Sequence, residues 1–140
     1  MNGTAAALTF VWLGMILAIS FLEAPLKFRA PGVTLPIGLG IGRLVFRALN
    51  GAEIVLAVGL GVFVAAGQPG AAATIAAGVA PALLLVQLLV VRPRLSRRTA
   101  RVLGGEQGPR SHAHIAYVIV ETAKVAALIT AGALLMVASA

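Results

Sequence analysis

Four stretches of the chain, at about residues 5–23, 44–66, 71–91 and 115–138, are almost wholly apolar. Each matches the roughly 20 residues that carry an α-helix across a bilayer core. Hydrocarbon offers backbone N–H and C=O groups no partner, so such stretches fold as helices whose hydrogen bonds close internally. Together they take up most of the 140 residues. The expected fold is therefore all-α: a single four-helix transmembrane domain over 1–140, with long connections at 24–43 and 92–114. Composition excludes the alternatives. Charged residues make up 11% of the chain, against about 25% in soluble domains, too few to solvate the surface of a soluble domain this size. Disordered chains are poor in apolar residues, and this one is 60% hydrophobic. With no cysteine, disulfides, thiol catalysis, Fe–S clusters and Cys-based zinc sites are excluded. The first stretch makes a poor signal peptide: no Lys or Arg precedes it, and Glu23-Ala24-Pro25 is a poor cleavage site.

The basic residues report orientation. Of eleven Lys and Arg, ten lie in or beside the two long connections. Lys27, Arg29, Arg43 and Arg47 belong to the first, and Arg92, Arg94, Arg97, Arg98, Arg101 and Arg110 to the second. The termini and the turn Gly67-Gln68-Pro69-Gly70 carry none. The positive-inside rule then places both connections in the cytoplasm and both termini outside, in an inner (cytoplasmic) membrane. Arg92, Arg94, Arg97, Arg98 and Arg101 are expected to meet anionic lipid headgroups. Nucleic acid is not an expected partner, because no aromatic residue lies among these arginines to stack bases.

Three charges remain inside the spans: Glu53, Glu121 and Lys124. A charge at mid-membrane costs ~2.5–3.5 kcal/mol even on the lenient insertion scale, so such groups pair inside the bundle. At ~1.5 Å rise per residue all three fall in the cytoplasmic half, roughly 9–13 Å from the starts of their spans. In the fourth span His114, Tyr117, Glu121 and Lys124 follow at steps of three and four, and in the second so do Arg43, Arg47, Asn50 and Glu53. Each set forms a stripe on one helix face. The simplest packing turns the stripes toward each other. Two readings follow. The charges lock the second and fourth helices together, or the eight residues line a polar pocket open to the cytoplasm that binds or moves a small amphiphilic or anionic molecule. The apolar outer half of every span argues against a water-filled pore that crosses the membrane in one state, and leaves an alternating-access carrier open. The repeats Ala123, Ala127, Ala131 and Gly78, Ala82 allow close helix approach, within the bundle, in a homo-oligomer or in a larger membrane complex.

Smaller motifs are open to two readings each. Gly38, Gly40 and Gly42 precede the second span, either for close packing or a re-entrant turn, or as an anion cradle. His112 and His114 point apart on a helix and cannot share a metal there. No metal site is expected, and haem is a minor alternative. No serine has a triad-like setting, so no catalytic residue is assigned.

Two resemblances follow from the motifs. Trp12-x-Gly14, Pro25-x-x-Phe28, Gly42-x-x-x-Phe46, Pro93 and the His112/His114 pair resemble a small four-span membrane family catalogued as a domain of unknown function, whose human member is linked to platinum-drug resistance. That resemblance implies four helices with basic cytoplasmic connections, and no established reaction. Arg47-Ala48-Leu49-Asn50-Gly51-Ala52-Glu53 is similar to the signature of the membrane-associated glutathione and eicosanoid enzymes. It implies a cytoplasm-facing site for glutathione. Here the Arg-to-Asn interval is one residue short, and Gln87 and Val91 stand where that family has Arg and Tyr.

Overall fold

The structure, a computed structural model, describes residues 1–104 and 112–140, except for the side chains of residues 96, 98, 102 and 112–114. Glu106, Arg110 and the side chains of Arg98, His112 and His114 therefore lie outside the described residues. Among the described residues four helices make up the fold: α1 (Asn2–Lys27), α2 (Leu35–Gly67), α3 (residues 71–103) and α4 (His112–Ser139). All four are long and apolar enough to cross a membrane, and no strand occurs among the described residues.

Two helices reach beyond their apolar stretches. α2 starts at Leu35 rather than 44, because Thr34 caps it: its Oγ1 accepts the Ile37 N–H at 3.4 Å, and Pro36 occupies the first turn, where a missing N–H costs nothing. The connection expected at 24–43 thus shrinks to residues 28–34. Gly38, Gly40 and Gly42 are interior helix residues, not a re-entrant turn. A Cβ on Gly38 would overlap the Phe28 ring, and one on Gly42 would meet Lys27 Nζ. These glycines let the end of α1 approach α2 closely. At the other side, α3 runs on through Arg92–Leu103, where Arg, Leu and Ala favour helix. The connection expected at 92–114 is correspondingly shorter.

α1 and α3 share a second feature. Each widens from α to π geometry near its charged end, over Leu17–Glu23 and Gln87–Val91. Each π segment ends two residues before a proline, Pro25 and Pro93. Proline has no N–H to donate, and its ring crowds the carbonyl four residues back. A wider turn is a way to absorb that conflict without breaking the helix, and such turns often occur at functional sites.

α1 packs against α2 and α4, and α3 packs against the same two. The helices therefore form a ring in which α1 faces α3, and α2 faces α4, across the diagonals. The expectation that α2 and α4 pack stripe to stripe is thereby corrected: their charged side chains meet at the bundle axis instead. On α4 the buried stripe is Tyr117, Glu121, Lys124, Leu128, Ala131 and Leu135, stepping by four and three as one helix face does. Ala123 is exposed, while Gly132 is buried against Phe10 of α1. The apolar core runs from Ala5, Trp12 and Ile16 through Leu60, Ala77 and Leu84 to Leu128 and Leu135. The outer faces are apolar too, with Leu44, Val55, Val62, Ile75, Leu89, Ile119 and Val137 largely exposed. That exterior suits lipid and not water.

Candidate functional site

Lys124 is completely buried, and at that position an ammonium requires partners. It has two. Its Nζ donates to Glu121 Oε1 at 2.7 Å, three residues back on α4, and to Glu53 Oε2 from α2. Neither carboxylate is exposed beyond 1%. α1 and α3 complete the cluster from the flanks. Trp12 Nε1 donates to Glu53 Oε2 at 2.8 Å. Ser20 Oγ donates to Glu121 Oε2 at 2.6 Å, and Gln87 Nε2 to Glu121 Oε1 at 3.4 Å. Tyr117 Oη also donates to Glu121 Oε2. Glu121 thus accepts from four donors on three helices, which fills the four acceptor directions of an ionised carboxylate. Ser20 lies within the π segment of α1, and Gln87 opens that of α3. The two wide turns deliver one polar group each to one carboxylate. Glu53 Oε1 and Gln87 Oε1 are buried without a hydrogen-bond partner among the described residues.

Above the cluster, toward the ends of α1 and α3 and the start of α2, lies a cavity of about 390 Å³. Its floor is Ser20, Tyr117 and Glu121, and its cationic lining is Lys27, Arg43 and Arg92. The remainder is mainly apolar, including Phe21, Phe28, Leu39, Phe46, Leu95 and Val118. Phe46 organises this wall. Lys27 Nζ lies 5.6 Å and Arg92 Cζ 5.3 Å from its ring centroid, both within cation–π range. Tyr117 meets the same ring edge-on at 5.5 Å and 84°. Lys27 also lies 3.9 Å from Glu23, one turn earlier on α1.

The eight residues singled out in the sequence separate into four groups. Glu121, Tyr117 and Arg43 line the cavity. Glu53 and Lys124 lie beneath it in the sealed core, so a pocket walled by all the charges of α2 and α4 is not what forms. Asn50 is buried and Arg47 exposed, and neither lines the cavity. The side chain of His114 is outside the described residues. The α2 stripe disperses because its steps of four, three and three do not close on 3.6 residues per turn. Over ten residues the direction drifts by about 80°, which swings Arg43 and Arg47 away from Glu53. Trp12, Ser20, Lys27, Phe46 and Arg92 are site residues the stripes do not reveal. Trp12 carried one usable signal, since a buried indole N–H needs an acceptor.

No protein-family model, curated protein or solved structure matches the chain.

Proposed function

We propose that this chain binds a small amphiphilic anion in the cavity at the charged end of the bundle. The observation that carries the reading is the lining: three cations, Lys27, Arg43 and Arg92, around a chamber of about 390 Å³ that is otherwise mainly aromatic and aliphatic. The volume lies within the range of small-molecule sites. The one carboxylate in the floor, Glu121, is already saturated by four donors, so it offers a ligand little. An anionic head among the three cations, with its apolar part against Phe21, Phe28, Leu39 and Val118, uses both kinds of surface. Phe21, Phe28 and Val118 are also partly exposed, which gives an amphiphile a route from the adjoining leaflet. The positive-inside rule makes this end cytoplasmic, with the exposed Arg94, Arg97 and Arg101 beside anionic headgroups.

The test is a titration of the purified protein, in nanodiscs of zwitterionic lipid, with a dansyl-labelled medium-chain fatty acid. Saturable fluorescence enhancement above that of empty discs is expected. Lys27→Gln combined with Arg92→Gln should weaken it at least tenfold, about 1.4 kcal/mol, with the elution volume unchanged. Enhancement no greater than that of empty discs, or unchanged affinity in the double variant, overturns the reading.

A further inference from the structure

The core cluster holds two carboxylates and one ammonium, all completely or almost completely buried. If all three were ionised, the bundle would enclose a net charge of −1. An uncompensated buried charge costs several kcal/mol even after the protein relaxes. Among the described residues no cation other than Lys124 forms an ion pair with Glu53. On α4 it faces Lys124, with Glu121 and Tyr117 beyond. From α1 it meets the neutral Trp12, while Glu23 and Lys27 stand at the far end of that helix. On α3 the nearest polar groups are the neutral Gln87 and then Arg92, which lies in the cavity wall. On its own helix Arg47 is exposed.

The hydrogen bonds say which carboxylate differs. Glu121 accepts from Ser20, Tyr117, Gln87 and Lys124, and so uses every lone pair as an acceptor. Glu53 accepts twice, from Trp12 and Lys124, and both bonds go to Oε2. Its Oε1 is buried with no partner among the described residues. That is the pattern of a carboxylic acid: a carbonyl oxygen accepting two bonds and a second oxygen that takes none. Gln87 Oε1, likewise buried and unpartnered, is an acceptor of the kind an acid hydroxyl needs.

We propose that the Glu53–Lys124–Glu121 cluster is a proton-binding site in the bundle core, carrying one proton on Glu53 Oε1. The site is charge-neutral when that proton is present. When it leaves, two carboxylates compete for Lys124, and Glu121, the floor of the cavity above, loses part of its partner. Proton occupancy and the cavity are thereby neighbours through one side chain.

Infrared spectroscopy of the full chain in liposomes tests this, without added ligand and so independently of the cavity reading. The chain has four glutamates and no aspartate, so side-chain acid C=O absorption has few sources. At neutral pH one acid C=O band is expected, moving in D₂O. It should vanish in Glu53→Gln, persist in a Glu23→Gln/Glu106→Gln variant, and grow in Lys124→Met, where two carboxyls must then be neutral. Two milder variants assign the proton should Glu53→Gln fail to fold. Trp12→Phe removes a hydrogen bond to the Glu53 carbonyl oxygen and should raise the band frequency. Ser20→Ala removes one to Glu121 and should leave the band in place. Absence of the band in the unmodified protein, its survival in folded Glu53→Gln, or any other pattern in the Trp12 and Ser20 variants overturns the proposal.

Discussion

Lys124 is the residue whose removal the bundle should tolerate least. Breaking a buried ion pair by deleting one partner leaves the other unmatched and costs ~3–5 kcal/mol. Lys124→Met is therefore expected to lower the thermal unfolding midpoint in detergent sharply. The triple replacement Glu53→Gln, Glu121→Gln, Lys124→Met, which removes every formal charge from the cluster, should recover much of the loss. A triple variant as unstable as the single one would show that packing, not charge, holds this level of the bundle. Trp12→Phe deletes one donor to Glu53 and should cost about 0.5–1.5 kcal/mol, the net worth of one hydrogen bond, because Glu53 Oε2 keeps Lys124 as a partner. Glu53, Glu121 and Lys124 were legible in the sequence because a charge in a hydrocarbon run has no other explanation than a partner. Trp12 and Ser20 were harder to read, because an indole or a hydroxyl in a span does not say on which helix its acceptor lies. Only the ring of helices shows that these two, on α1, reach carboxylates on α2 and α4.

At the scale of the helix, the sequence alone shows Pro25 and Pro93 as interruptions, and it does not show what they interrupt. Hydropathy ends the first and third spans close to them, yet the helices pass through and widen just before each proline. The wide turn on α1 sets the direction of Ser20. Pro25→Ala should let that turn tighten, moving Ser20 away from Glu121. In a double-mutant cycle with Ser20→Ala the two effects should therefore couple, by an energy on the order of 0.5–3 kcal/mol. Additive effects would separate the proline from the hydroxyl. The early start of α2 was hidden for a different reason. Glycine-rich sequence reads as a connection until Phe28 and Lys27 are seen occupying the room its missing side chains leave.

For the whole molecule, apolar faces outward and a charged cluster inside are what a bilayer demands. The four spans could be read directly from hydropathy, and the ring order that makes α2 and α4 diagonal could not. No pattern along a single helix records its neighbours. Orientation is open to a direct check, since the chain has no cysteine to interfere. A membrane-impermeant maleimide should label Ser139→Cys in intact cells and Arg94→Cys only after permeabilisation. The reverse pattern would invert the topology and leave the fold intact.

The diagonal hydrogen bond between Lys124 and Glu53 also bears on how the chain is put together. Glu53 belongs to the hairpin of α1 and α2, and Lys124 to the hairpin of α3 and α4. Synthesis delivers the first hairpin before the second. Until α4 arrives, the first hairpin holds an acid in hydrocarbon with an indole and no cation beside it. The first half is thus an unfinished partner, and Lys124 is the polar group that completes it.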